Sequence, residues 1–306
     1  MQKHLTTAEI SQHFKPLTSV RTQVSMKDFT TFKIGGPADI LITPNSWDEA
    51  MKAKQAAKEL NLPVFVLGGG SNLLVSDKGI RGVVLHIDSL RTHRWNGTVL
   101  QIDAGCEVPD TCEIARQNGM SGLEFIYGMP GSIGGAVWMN AQCYGKSISE
   151  ILVSVDYIDE ENQKRIYSFN SKDFSYKRSP FQEKSWIICS ASFRLKPGDK
   201  NLIRKEMDAH KKDREDKGHY RFPCAGSVFK NNRAFGKPTG QLADEIGLKG
   251  FTIGGAKVAD YHGNIIINTG NAAARDVLNM IEHIERDVFK HYGFKLEREV
   301  LLVGEW

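Results

Sequence analysis

The sequence predicts a mixed α+β fold of more than one domain, on three observations. Strand-like and helix-like segments alternate over the first quarter of the chain, hairpin signals take over from His93, and a long amphipathic helix followed by a strand closes the sequence. The chain has 306 residues, which at about 150 per domain is enough for two or three packed units. With 41% hydrophobic and 25% charged residues and a formal charge of +4, its composition is that of an ordinary globular protein, which excludes disorder and collagen as overall descriptions.

In chain order, Thr6 to His13 is a short capped helix and Ala38 to Thr43 a strand. Ser46-Trp47-Asp48-Glu49 is a capping box that opens a helix reaching about Leu60. Strands follow at Pro63 to Leu67 and Val83 to Ile87, separated by Gly68-Gly69-Gly70-Ser71-Asn72. Asn96-Gly97 is a strong hairpin signal between strands near Thr92 to Trp95 and Thr98 to Ala104. A helix from Pro109 to Gln117 comes next, then a glycine-dense turn from Gly128 to Gly135 that enters a short helix, Ile133 to Met139. A hairpin across Ile151 to Tyr167 and a strand from Trp186 to Leu195 complete this β-rich part, and Pro197-Gly198 breaks the pattern.

Asn201 to Lys217 is a charged helix whose signs are mixed, which places it against solvent. Nucleic-acid binding would need uncompensated positive charge and stacking aromatics, and the helix lacks both. In the last long helix Val277, Ile281, Ile284 and Val288 fall on one apolar stripe, whose role is packing. Leu296 to Val303 is the closing strand. No stretch approaches the roughly 18 consecutive apolar residues of a membrane helix. Polar Thr6, Thr7 and Glu9 stand where a signal peptide places its apolar core, so a cytoplasmic location is expected. Cys106, Cys112, Cys143, Cys189 and Cys224 are an odd number with no C-x-x-C pair, which predicts reduced thiols, and no zinc-ligand spacing occurs, so no metal is expected.

Two glycine-rich segments carry the functional reading. Gly68 to Leu74 follows a strand, and residues without side chains let successive backbone N–H groups converge on an anion such as a pyrophosphate. It is not the Rossmann fingerprint, whose third glycine would fall at Leu73, and a plain turn is the alternative. A second loop, Gly128 to Ala141, shifts the balance, because two such turns can grip opposite ends of one extended ligand. Gly145-Lys146-Ser147 ends like a phosphate-binding P-loop, but the first glycine of that motif would be Asn140, so nucleoside triphosphate binding is not expected. Asn96-Gly97-Thr98 matches a glycosylation sequon and is better read as turn chemistry.

Five motifs together, TFKIGGPAD (Thr31 to Asp39), LGGGSNLLVSD (Leu67 to Asp77), GLEFIYGMPGSIGGAVWMNA (Gly122 to Ala141), AGSVFKN (Ala225 to Asn231) and LKGFTIGGAKV (Leu248 to Val258), closely resemble the UDP-N-acetylenolpyruvoylglucosamine reductase family. The resemblance continues through HGNIIINTGNAAARDVL (His262 to Leu278) and LEREVLLVG (Leu296 to Gly304), covering nearly the whole chain. It implies a two-part FAD-binding domain of the vanillyl-alcohol oxidase (PCMH) type over residues 1–88 and 89–197, followed by a C-terminal α/β substrate-binding domain over 198–306. The chain's length matches the family's shorter type, which lacks the tyrosine-bearing insertion that covers substrate in the longer one.

The implied reaction belongs to peptidoglycan precursor synthesis. NADPH reduces non-covalently bound FAD and leaves as NADP⁺; UDP-N-acetylglucosamine enolpyruvate then accepts a hydride from flavin N5 at its methylene carbon and a proton at the adjacent carbon. By the same resemblance, Gly68, Gly69, Gly70, Ser71 and Asn72 of the first loop, and Gly128, Pro130, Gly131, Ser132, Gly135, Asn140 and Ala141 of the second, are candidate FAD contacts. Ser227 looks like the family's proton donor and Glu299 like its acid near the substrate carboxylate. Where the family shows Tyr-Arg-x-Ser this chain reads Tyr176-Lys177-Arg178-Ser179, so either Lys177 or Arg178 is the cation facing the enolate. A lysine there supplies charge without arginine's two-pronged fork. Lys217, Arg221, Lys230 and Asn231, near Ser227 in sequence, are candidates for diphosphate or carboxylate contact.

NAQCYG at Asn140 to Gly145 and Asn232 after FKN depart from the family's usual residues and bear on local loop geometry. The expected partners are NADPH and the UDP-sugar, with no nucleic acid, no membrane and a monomeric chain. A flavin-dependent oxidase of the same superfamily is the alternative enzyme, and a nucleotide-binding module without chemistry the alternative outside catalysis.

Overall fold

The computed structural model describes His13, Phe14 and residues 17–306; the helix expected from Thr6 lies outside them apart from His13. The chain divides into two compact units, the first made of residues through Val24, 38–69 and 81–207, the second of 25–37, 70–80 and 208–306.

Two sheets build the first unit. One has four strands in the order Val20–Ser25, Pro37–Ile42, Ile80–His86, Val64–Leu67. Its last two run parallel, with Val64 opposite Val83 and Leu67 opposite His86. Helix α1, Trp47–Glu59, starts where the capping box placed it, because the Ser46 side chain accepts from the Glu49 N–H at 3.1 Å. Glu49 does not close the box on Ser46; its carboxylate accepts instead from the Asn45 N–H at 2.7 Å. Ala50, Ala53 and Ala57 form the buried face of α1, a stripe of small side chains that lets the helix lie close to its sheet.

The second sheet has five antiparallel strands in the order Lys164–Ser168, Leu152–Ile158, Ile187–Arg194, Val99–Asp103, His93–Asn96. The Asn-Gly hairpin forms as expected, with Asn96 paired to Val99. Ile187–Arg194 is the central strand and buries every residue but Arg194, which explains its nearly continuous apolar run. Helices α2, Val108–Gln117, and α3, Ile133–Trp138, flank this sheet, α3 packing directly on the central strand. Helix α4, Lys200–Asp216, buries only Ile203 and Met207, and its mixed charges face water as the sequence predicted.

The second unit is built around α6, Ala274–Tyr292, whose stripe of Val277, Ile281, Ile284 and Val288 is buried. The short helix α5, Thr239–Glu245, and the three strands Thr252–Ile253, Ala256–Val258 and Ile266–Asn268 surround it. Its first turn is capped from far away in sequence: the Asp77 carboxylate accepts from the N–H groups of Ala274 at 2.8 Å and Arg275 at 3.0 Å, which satisfies two orphan donors and complements the helix dipole. Leu73–Val75 pairs in parallel with Leu301–Val303.

Two expectations differ from the structure. The boundary at 88/89 falls between the two sheets of the first unit and that at 197/198 lies inside this unit, which runs on to Met207, while residues 25–37 and 70–80 join the C-terminal residues in the second. The reason is non-local: the strand at Leu73 finds its partner at Leu301, and Asp77 its helix at Ala274. The closing strand expected over Leu296 to Val303 is only Leu301–Val303; the residues before it bond to another segment, with Lys230 N–H donating to the Glu297 carbonyl at 2.9 Å.

Among the described residues no helix is long and apolar enough to cross a membrane, and no group of three or more metal-ligating side chains occurs. The five cysteines are free thiols. Burial pushes Cys106 up to about 11 and Cys189 up to about 12, so neither carries thiolate at neutral pH.

Candidate active site

The predicted residues fall into two groups, each within one unit. In the first unit, Gly68 and Gly69 end the strand Val64–Leu67 and lie directly against the second loop. A Cβ on Gly69 would stand 2.7 Å from Gly131 Cα, and one on Gly68 2.2 Å from Ser132 Oγ. The two loops therefore meet side by side at these residues. Ser132 caps α3 by accepting from the Gly135 N–H at 3.3 Å, and the Gly131 carbonyl accepts from the Val108 N–H at 3.0 Å, so α2 and α3 both hold the second loop in place. Its entry is pinned by Tyr127, whose hydroxyl donates to Glu113 at 3.3 Å and whose ring lies 5.8 Å from the Arg204 guanidinium. Burial raises the Glu113 carboxyl, but hydrogen bonds from Arg204 and Arg116 outweigh it and hold the group below its usual range.

The exit of this loop is tied to the segment that carries the candidate cations. Asn140, buried and in the left-handed region at φ +44, donates from Nδ2 to the Ser175 carbonyl at 2.8 Å and accepts at Oδ1 from the Ser149 N–H at 3.2 Å. Its amide thus brackets three segments. Ser175 to Arg178 is a tight turn closed by backbone bonds in both directions, at 3.2 and 3.1 Å. Lys177 sits inside the turn, half-buried, and Arg178 closes it, exposed. Sequence reading singled out these two cations but not Gln182, whose Nε2 donates to the carbonyls of both Trp138 and Lys177, at 3.0 and 3.1 Å. A glutamine in a polar stretch carries no signal of that kind.

In the second unit the structure brings Ser227 and Glu299 onto neighbouring extended segments. Ser227 forms an antiparallel bridge with Ile265, and the next carbonyl, Val228, accepts from the N–H groups of Glu299 at 2.7 Å and Val300 at 3.2 Å. Gly226, at φ +71, makes the left-handed turn that starts this segment, a conformation that an L side chain would strain. Buried Asn264 locks it from the other side, accepting from Phe229 N–H at 2.9 Å and donating to the Phe229 carbonyl at 2.8 Å. Asn72 joins the same group: its side-chain amide donates to the Glu299 carbonyl at 3.0 Å, and its own carbonyl accepts from Leu301 N–H at 3.0 Å.

The four candidates for diphosphate or carboxylate contact have protein partners. Lys230 pairs with Glu297 at 2.6 Å, Lys217 with Asp213 at 2.7 Å one turn back on the same chain segment, and Arg221 lies 5.2 Å from the Tyr261 ring centre. Asn231 accepts from the Thr239 N–H at 3.0 Å at the start of α5. Beside them, burial first and then the Arg214 charge push His219 down to about 4, so it is neutral at physiological pH and adds no cation to this region.

Residues 38–163 match the FAD binding domain family, and residues 218–303 match the family described as UDP-N-acetylenolpyruvoylglucosamine reductase, C-terminal domain. The chain is 43% identical to the UDP-N-acetylenolpyruvoylglucosamine reductase of Borreliella burgdorferi over 281 residues, 92% of this chain and 93% of that protein. The chain belongs to the UDP-N-acetylenolpyruvoylglucosamine reductase family. The enzyme of the same name from Caldanaerobacter subterraneus is also 43% identical, over 92% of both chains. A crystal structure of UDP-N-acetylenolpyruvylglucosamine reductase from Thermus caldophilus superposes with a TM-score of 0.80 at 32% identity, covering 93% of this chain and 99% of that one.

The protein is therefore an FAD-dependent oxidoreductase, with an FAD-binding domain of the vanillyl-alcohol oxidase type and the family's C-terminal domain. The residues present fit the cofactor. At Gly69 a Cβ would stand 2.7 Å from Gly131 Cα, so where the two turns approach only glycine fits, and such glycine-lined backbone is suited to a pyrophosphate.

Proposed function

We propose that this chain reduces UDP-N-acetylglucosamine enolpyruvate to UDP-N-acetylmuramate with NADPH as electron donor, acting as a cytoplasmic monomer in peptidoglycan precursor synthesis. The observation that most supports this reading is the backbone bond from the Glu299 N–H to the carbonyl of Val228, next to Ser227 in the chain, with Asn72 bonded to the Glu299 carbonyl. FAD, held by Gly68, Gly69 and Gly70 together with Gly128, Pro130, Gly131, Ser132, Gly135 and Ala141, would supply hydride-transfer chemistry. Ser227 Oγ then delivers the proton to the carbon next to the reduced methylene, a role that needs a positioned hydroxyl within hydrogen-bond reach. Glu299 sits at the substrate carboxylate, and one cation of the Lys177–Arg178 turn stabilises the enolate as its charge develops. Lys217, Arg221, Lys230 and Asn231 take the diphosphate, exchanging their present protein partners for it.

Of the two cations Lys177 is the stronger candidate, because it is half-buried and its charge is less screened than that of exposed Arg178. Lys177→Ala is expected to lower kcat by about 10²-fold or more, the usual loss on removing one group that stabilises an oxyanion, and Arg178→Ala by much less. Steady-state kinetics of the two variants side by side check this. Equal losses would remove the preference for Lys177, and two unaffected variants would remove both cations from the mechanism.

A further inference from the structure

The turn that carries Lys177 is closed by its own backbone bonds and held at both ends by side-chain bonds to and from the end of α3. Lys177 adopts φ +57, a left-handed conformation that a lysine enters only under constraint. The constraint comes from the end of α3. Ser179 Oγ donates to the Trp138 carbonyl at 2.6 Å, and Asn140 Nδ2 donates to the Ser175 carbonyl at 2.8 Å. Both bonds grip the turn at its flanks. Gln182 reaches its interior: one amide nitrogen donates to the Trp138 carbonyl at 3.0 Å and to the carbonyl of Lys177 itself at 3.1 Å, with Met139 Sδ a weaker acceptor at 3.8 Å. Trp138 ends a six-residue helix, so its carbonyl has no intrahelical partner and depends on such donors. Gln182 is in turn fixed by its neighbour Phe181, which is fully buried and packs edge-on against Tyr167 at 5.4 Å and Trp186 at 6.0 Å.

We infer that Gln182 is a positioning residue for catalysis: its carboxamide ties the backbone of Lys177 to the end of the flavin-binding loop and so sets where the cation stands when the substrate's carboxylate arrives. The inference rests on the proposed reaction. It gives this chain a specific need for the tether, because a lysine is a flexible point charge and lacks the fork by which an arginine orients a carboxylate on its own. Backbone placement has to supply that orientation.

Gln182→Glu tests it in the FAD-loaded enzyme. The substituted side chain keeps its length and shape, but an ionised carboxylate cannot donate to either carbonyl. Flavin bleaching by NADPH is expected to stay within about twofold of wild type, while recovery of flavin colour on adding UDP-N-acetylglucosamine enolpyruvate slows by about 10- to 100-fold, the scale of a misplacement near 1 Å. Amide hydrogen exchange at Arg178, whose N–H closes the turn, should speed up in the same variant. Gln182→Lys, which restores a donor, should recover most of the recovery rate. Faster exchange at Arg178 with unchanged substrate reduction would overturn the inference, as would an equal slowing of both half-reactions, the mark of a general structural loss. A wild-type enzyme inert toward the UDP-sugar would overturn the proposed function itself, and this inference with it.

Discussion

Replacing Ser227 by alanine is expected to leave flavin reduction by NADPH near the wild-type rate and to slow reduction of the UDP-sugar by about 10²- to 10⁴-fold, the range for loss of a general acid. The split follows from where Ser227 stands. Its backbone is fixed by the bridge to Ile265 and by the bonds that Val228 makes to Asn264, Glu299 and Val300. None of these uses the hydroxyl, which takes no hydrogen bond from any described residue. Removing Oγ would therefore take away the proposed proton donor and little of the packing, and the variant should melt within a few degrees of wild type. Stopped-flow measurement of the two half-reactions separates the outcomes. A loss shared equally by both would mean that Ser227 shapes the site without donating the proton.

Gly69→Ala strikes the other half of the chemistry. The new Cβ would lie 2.7 Å from Gly131 Cα, 3.1 Å from the Gly131 carbonyl carbon and 3.3 Å from Ser132 N, all backbone atoms that cannot swing aside as a side-chain end does. The two loops must separate, and overpacking of this kind costs about 1–3 kcal/mol. If that strain falls on the cofactor-bound state, the Kd for FAD rises by about 10- to 100-fold, since 1.4 kcal/mol is a factor of ten. Gly135→Ala adds a methyl to the second loop without forcing the turns apart, since its Cβ would meet only Ser132 Oγ, at 3.5 Å, so a loss of affinity there would report on direct contact with FAD instead of on loop packing. Titrating FAD into the apo forms, followed by quenching of flavin fluorescence, measures both. Unaltered affinity in Gly69→Ala would show that the contact of the two loops does not shape the FAD site.

Much of the fold was legible because it is local. Ser46 starts α1, Asn96-Gly97 turns the hairpin, and the run Ile187 to Phe193 reads as buried because it is buried. The glycine loops were legible as loops, but their contact was not: nothing near Gly69 says that Gly131 will be its neighbour. The parallel pairing of Leu73 with Leu301 and the Asp77 cap on α6 are likewise invisible to periodicity, and they carry residues 70–80 into the C-terminal unit. Ser227 and Glu299 carry no chemical mark in composition or spacing; only resemblance to a family singled them out. Gln182 carries no signal in the sequence, and Asn140 and Asn264 are marked only by lying in family motifs; their roles depend on which carbonyl each amide reaches in three dimensions.

In the proposed cycle one flavin serves two half-reactions, NADPH oxidation and reduction of the enolpyruvyl ether. A single anaerobic record of visible flavin absorbance tests it most directly, with NADPH added first to the purified holoenzyme and UDP-N-acetylglucosamine enolpyruvate second. Bleaching on the first addition and full recovery on the second, with UDP-N-acetylmuramate formed, is the expected result. Colour that NADPH does not bleach, or that bleaches and returns only when oxygen is admitted, would contradict the claim and point to an oxidase or to a different acceptor.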